Sequence, residues 1–186
     1  MGEPIVEWLN QQQDNMVELL RDLVDIDSNS FNKAGVDLVG ARLTAFFDDN
    51  EIPHETIPLE EYGDAIRAVV SGGDGNQPIL LCGHRDTVFP TGEVEKRPFS
   101  IADGKAFGPG VADMKPGLVI NAFILAAFHK FGGHPNPLVG LFTGDEEIGS
   151  PASQDVITAE AEKARLAFNS EPVSYTHLRA HETARH

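Results

Sequence analysis

Two short runs with no polar interruption, Pro78–Cys82 (PILLC) and Leu138–Phe142 (LVGLF), most constrain the fold. A strand that is apolar on successive residues has no solvated face, so it belongs in the middle of a sheet covered on both sides. Helical patterns surround these runs. Ile5, Leu9, Met16, Leu19, Leu20, Leu23 and Val24 recur at helical spacing and predict one amphipathic helix from Ile5 to Ile26. Leu38, Val39, Leu43, Phe46 and Phe47 do the same across Val36–Phe47. Pro116–Phe131 reads as a further helix, with its proline in the first turn, where a missing N–H costs little. Ser153–Ala164 reads as another. His54–Pro58, Ala65–Ser71 and the stretch beginning at Arg165–Phe168 read as strands. Ser71–Asn76 is a turn cluster, and the glycine- and proline-rich stretch from Gly83 to Gly110 reads as one long loop. Such alternation predicts an α/β fold, a sheet with helices on both faces.

Composition removes several function classes. With 186 residues the chain is sized for one domain or little more. It carries 29 Asp and Glu against 14 Lys and Arg, a formal charge of −15. That field repels phosphate backbones and anionic membrane faces, so neither nucleic acid nor membrane is an expected partner. No apolar run approaches the roughly 18 residues that span a bilayer. The first twenty residues lack a basic segment followed by an apolar one, so no secretory signal is expected. Cys82 is the single cysteine, which forbids an intrachain disulfide and suits a reducing cytoplasm, the expected location.

The chemistry-bearing residues stand where the apolar strands stop. The first strand runs into Gly83-His84-Arg85-Asp86-Thr87. His84 and Asp86 are two apart and share a face on extended backbone. A neutral imidazole can offer one nitrogen to a metal while Asp86 fixes the other, or the two can form a plain stabilising pair. Arg85 should point to the opposite face, into a salt bridge. Asp113, inside Gly108-Pro-Gly-Val-Ala-Asp-Met-Lys115, is either a ligand or a helix N-cap. Lys115 can pair with an acid or with a substrate carboxylate. Asp145-Glu146-Glu147 packs three carboxylates into one loop, where they repel unless water or a cation screens them. Glu171 follows the last strand. Cys82 reads as a buried structural thiol. There is no third glycine for a dinucleotide fingerprint and no Gly-Lys-Ser/Thr for a phosphate loop. In open α/β sheets ligands collect outside the carboxyl ends of strands. One histidine with several carboxylates there suits a divalent ion, zinc before magnesium, and the surplus of carboxylates suggests two. A magnesium phosphohydrolase is the weaker alternative.

The strings Gly83-His-Arg-Asp-Thr-Val88, Gly108-Pro-Gly-Val-Ala-Asp-Met-Lys115 and Asp145-Glu-Glu-Ile-Gly-Ser150, in this order, resemble the di-zinc exopeptidase and amidohydrolase family. That family includes glutamate carboxypeptidases, acetylornithine deacetylase, aminoacylases and succinyl-diaminopimelate desuccinylase. The stretch Asp86–Pro90 through Arg97–Phe99 is most similar to the glutamate-carboxypeptidase branch. The resemblance covers roughly residues 1–172 and implies a three-layer helix-sheet-helix catalytic domain. It implies zinc ligation by His84, Asp113, Glu147 and Glu171, with Asp113 bridging two ions, and cobalt able to substitute. It implies that Asp86 orients His84 and that Glu146 is the general base, taking a proton from the attacking water and giving it to the leaving amine. It also implies a cis peptide between Asp113 and Met114. The activity that the resemblance implies is release of a C-terminal amino acid such as glutamate from a small peptide, or deacylation of an N-acyl amino acid.

Family members are about twice as long. After the position of Glu171 they insert a lid, through which they form homodimers, and then return with a final zinc-binding histidine. The chain is therefore expected to be an N-terminal part, lacking the lid and inactive alone. Residues 173–186 (VSYTHLRAHETARH) lack apolar periodicity, resemble a translated sequencing adapter and are read as foreign. His177 and His181 within them have helical i, i+4 spacing but no His-Glu-x-x-His order.

Overall fold

The computed structural model describes residues 2–73 and 77–172. The foreign-tail reading, with His177 and His181, and the end of the turn cluster at 74–76 lie outside them.

The chain begins with α1 (Gly2–Asn10), α2 (Gln13–Val24) and α3 (Lys33–Asp49). The single helix expected over Ile5–Ile26 is thus two. Gln11 and Gln12 donate to the carbonyls three residues back, at Trp8 and Leu9, and the axis breaks in the run of glutamines. The apolar spacing carries across this break because both helices bury the same side.

β1 (His54–Ile57), β2 (Ala65–Val70) and β3 (Ile79–His84) follow. The stretch expected to be one long loop holds a single-turn helix α4 (Glu93–Lys96) and a small hairpin, β4 (Ser100–Ala102) with β5 (Lys105–Phe107). Asp27 supplies what the loop reading lacked: its carboxylate accepts the N–H groups of Gly92 and Val94 and pins the start of α4. Then come α5 (Lys115–Lys130), β6 (Leu138–Thr143), a short 3-10 turn (Glu146–Ile148), α6 (Gln154–Lys163) and β7 (Leu166–Asn169).

The main sheet has five strands in the order β1-β2-β6-β3-β7. β1, β2 and β6 pair antiparallel, whereas β6, β3 and β7 are parallel. β6 is buried at all six residues, as its unbroken apolar run requires. The larger core lies on one face, where Leu19, Leu23, Val39, Leu43, Phe47, Leu118 and Leu125 of α2, α3 and α5 meet Leu81, Leu138 and Phe142. The smaller core, Leu80, Val139 and Leu141, meets Val156 and Ile157 of α6 on the other. The result is the expected three-layer α/β architecture.

The crossovers place the site. α5 carries the chain from β3 to β6 over one face, and α6 carries it from β6 to β7 back over the other. β3 therefore lies between two strands reached in opposite directions, a switch point at which the carboxyl ends open together. No described helix is long and apolar enough to cross a membrane.

Candidate metal centre

His84 ends β3, Glu146 and Glu147 follow β6, and Glu171 follows β7, so the parallel register alone brings three chain segments to one edge. Asp113 comes from the turn before α5. It does not cap that helix; Met114 holds the N-cap position, and no side chain caps it. The Asp113–Met114 peptide is cis. Gly117, in the first turn of α5, lies so close to Ser170 that a Cβ would sit 2.5 Å from its carbonyl oxygen. This close approach sets Asp113 and Glu171 side by side.

His84 is the centre of the cluster. Its Nδ1 faces Asp86, 3.1 Å from the main-chain oxygen and 3.3 Å from Oδ1. Its Nε2 is buried and has no hydrogen-bond partner. Around that nitrogen stand Asp113 Oδ1 at 3.3 Å, Glu171 Oε2 at 3.3 Å and Glu146 Oε2 at 3.6 Å. One oxygen each of Asp113 and Glu147 and one His84 nitrogen lie within 4.8 Å of one another. The six residues expected to form the site, His84, Asp86, Asp113, Glu146, Glu147 and Glu171, thus lie together. Glu171 Oε2 is a second buried atom with no partner.

The electrostatics say what the spot wants. Burial pushes the Glu171 carboxyl up to about 7, and the neighbouring Asp113 and the Glu146 charge add to this against His84. Burial, then Asp113, also raise the Glu147 carboxyl. The His84 imidazole is pushed up to about 9: burial opposes its charge, but Asp86, Glu146 and Glu171 outweigh burial. A field that holds a proton on imidazole this firmly attracts a divalent cation for the same reason. The orphaned Nε2 and the surrounding hard oxygens therefore fit a metal ion.

Asp86 is buried and does more than face the imidazole. Its carboxylate accepts the N–H of Glu146 and of Glu147, each at 3.1 Å, and the Ser30 hydroxyl at 2.6 Å. It thereby fixes the turn that presents both glutamates. Asp145 faces away from the cluster and is buried, accepting the N–H of Ala152 at 2.7 Å and of Ser153 at 3.0 Å, and the Ser153 hydroxyl. The three-carboxylate crowding expected from the sequence is relieved in this way.

Three further residues raised by the sequence, Lys115 left open, Cys82 read as a buried thiol and Arg85 as a salt-bridge partner, also find their places. Lys115 is buried and donates to the carbonyls of Leu23 at 2.8 Å and Ile26 at 3.0 Å, not to an acid. Burial pushes its ammonium down to about 7, against Asp27 and Asp25. Cys82 is half-buried rather than buried, and desolvation pushes its thiol up to about 11, away from the thiolate a nucleophile needs. Arg85 does face away from the cluster, but it bonds carbonyls rather than a carboxylate.

Ser30 and Asn121 are not among the residues expected from the sequence, and Ser30 carries no signal there. Asn121 donates to Cys82 O at 2.9 Å and accepts the Ser170 hydroxyl at 2.7 Å, tying β3 to the segment that bears Glu171. An asparagine inside an otherwise apolar helix face is the one clue that it had a partner to find.

A three-layer α/β sheet with this His-carboxylate cluster at its carboxyl edge is the catalytic-domain fold of a metallopeptidase. The chain belongs to Peptidase family M20/M25/M40, whose profile matches residues 80–179. It is 31% identical over 166 residues to carboxypeptidase G2 of Pseudomonas sp. (strain RS-16), covering 88% of this chain and 40% of that protein. It is 31% identical over 175 residues to acetylornithine deacetylase of Salmonella arizonae, covering 89% of this chain and 45% of that one. The crystal structure of human carnosine dipeptidase 1 superposes with a TM-score of 0.78 at 17% identity, over 94% of this chain and 42% of that one. The chain thus spans less than half the length of these relatives.

Proposed function

We propose that this chain carries the larger part of a metal site for hydrolysing an amide bond next to an amino-acid carboxylate. His84 and Glu171 would hold one zinc ion, Glu147 a second, and Asp113 would bridge them. The observation that carries the reading is His84 Nε2, buried without a partner amid three carboxylates. Bound there, zinc supplies Lewis acidity to an amide carbonyl and acidity to a neighbouring water. Asp86 holds the imidazole by Nδ1 and leaves Nε2 as the ligand atom. Glu146, 53% exposed at its side chain and beside the cluster, accepts the proton of the attacking water and returns it to the leaving amine.

Carboxypeptidase action, releasing a C-terminal residue such as glutamate, is the first reading, from the similarity to carboxypeptidase G2. Deacylation of an N-acyl amino acid is the second, from the equal identity to acetylornithine deacetylase. The chain spans 40% and 45% of these two relatives, and the reading is that alone it binds metal without turning substrate over. Dimerisation through a lid in a longer protein belongs to the same reading.

The test is metal content and hydrolysis on the whole chain beside a D113A/E147A double variant. Zinc retained after gel filtration by the chain and not by the variant supports the site. Equal metal in both sinks it. Assays with N-acetylornithine and with a dipeptide ending in glutamate, run on a longer protein containing this sequence, separate the two substrate readings.

A further inference from the structure

The residue between His84 and Asp86 is the least expected in the interior. Arg85 is 1% exposed, yet its guanidinium forms no carboxylate ion pair among the described residues. A buried charge without a paired acid is costly unless its N–H groups are all well placed. Here they reach main-chain carbonyls of α3, of β6 and of the segment just before β2. Nε donates to Thr143 O at 3.3 Å, Nη1 to Val36 O at 3.0 Å, and Nη2 to Asp64 O. The Arg85 backbone N–H also donates to Thr143 O, at 2.9 Å. Thr143 is the last residue of β6, and the chain beyond it turns through Asp145 into Glu146 and Glu147.

A second observation is independent of these bonds. Gly40 lies mid-helix in α3, where glycine is the poorest residue after proline. A Cβ there would overlap Arg85 Nη1. The helix gives up a side chain at the one place where the guanidinium passes. The guanidinium also interacts across the interior with Asp37, Asp86, Asp64 and Asp145. Asp86 and Asp145 are the two fully buried carboxylates that anchor the acidic turn.

We propose that Arg85 is a positioning residue: seated in the gap left by Gly40, it clamps the ends of β3 and β6 together. It thereby fixes Glu146 and Glu147 relative to His84 without touching any of them. The clamp stands on the fold; only its consequence for metal rests on the proposed function.

The test compares the whole chain with Arg85→Met, Arg85→Lys and Gly40→Ala. The first readout is amide hydrogen exchange, peptide by peptide. In Arg85→Met, exchange across 144–150 rises at least about tenfold, while peptides from α2 and α5 stay within about twofold. Arg85→Lys keeps the charge but cannot span three carbonyls, and gives the same local signature. Gly40→Ala gives it with Arg85 still present. Combining Gly40→Ala with Arg85→Met gives less than the sum of the two, because the methyl fills space the guanidinium has left. If Arg85→Met does not fold, the lysine and Gly40 variants make the same comparison.

The second readout is Co2+ titration followed by visible absorption, where affinity falls about tenfold and the band changes shape in each single variant. Acceleration spread evenly over every peptide would show a merely stabilising arginine and overturn the proposal. So would unchanged exchange at 144–150. If the unmodified chain binds no more Co2+ than the D113A/E147A variant, the metal reading falls, and the exchange data still decide the role of Arg85.

Discussion

The Asp86 carboxylate at the end of β3 accepts the backbone N–H of Glu147 beyond β6, at 3.1 Å. The same carboxylate takes the Glu146 N–H and the Ser30 hydroxyl, so three chain segments meet on one buried group. Asp86→Ala leaves these donors unpaired inside the protein. The expected cost is about 3 kcal/mol of unfolding free energy, read from urea titration. Zinc affinity, measured by calorimetry on the folded fraction, should fall about 10- to 100-fold because His84 loses its orienting partner. Full affinity in this variant would show that His84 needs no partner to present Nε2.

Gly117 tests whether helix packing sets the ligand geometry. A Cβ at this position meets Ser170 O at 2.5 Å, a main-chain atom that cannot rotate away. Gly117→Ala must push the Ser170–Glu171 segment outward. Alanine favours helix over glycine, so α5 itself gains. The expected outcome is a protein whose secondary structure by circular dichroism is unchanged and whose zinc affinity is at least about tenfold lower. An unaltered affinity would mean that Glu171 is not held by this contact.

Asp64 carries a pH-dependent share of stability remote from the cluster. It accepts Leu59 N–H at 2.9 Å and pairs with Lys33 at 2.5 Å. Burial works against its charge, but Lys33 and the Leu59 N–H overcome it and hold the carboxyl below the ordinary 3.8. A folded value below the unfolded one means that the unfolded chain takes up the proton first. The contribution is therefore complete above the unfolded value and is lost as pH falls through the folded one. Both partners are part-exposed, so Asp64→Asn should cost no more than about 1 kcal/mol at pH 7. The difference from the unmodified chain should vanish in the acid limb of a stability–pH curve. A gap that persists unchanged at the acid end would assign it to hydrogen bonding by either amide or acid, not to charge.

These consequences differ in how far the sequence shows them. The unbroken apolar runs at β3 and β6 announce central strands, and residues that follow such strands in a parallel sheet must share an edge. That is why His84, Glu146, Glu147 and Glu171 are legible as a group before any coordinates. The broken first helix is not, because α1 and α2 bury one continuous side and leave the apolar period intact. Nor is the inward turn of Asp145: in a run of three carboxylates nothing local says which one caps the Ala152–Ser153 turn. Ser30, Arg85 and Lys115 act through main-chain carbonyls or through a carboxylate more than fifty residues away in the chain. Every residue offers a carbonyl, so an acceptor of that kind leaves no mark in composition or spacing.

The crowding around Glu171 gives the last prediction. Its carboxyl is raised to about 7 by burial, by Asp113 beside it and by the other negative charge nearby. Without a cation, an ionised Glu171 therefore strains the folded state; with one, it becomes a ligand. Glu171→Gln should raise the melting temperature of chelator-treated protein at pH 8, because it removes one charge from the cluster and keeps the shape. Zinc should stabilise the unmodified protein far more than the variant. Ligand present at 100 times its dissociation constant adds about 2.7 kcal/mol to the folded state. For a domain of this size that is about 8 °C, and the glutamine variant should show only a small part of it. Differential scanning calorimetry with chelator and with zinc gives all four values. A chelator-treated Glu171→Gln protein that melts lower than the parent would show that the carboxylate is satisfied by its neighbours alone, and the case for a cation at His84 Nε2 would lose its electrostatic basis.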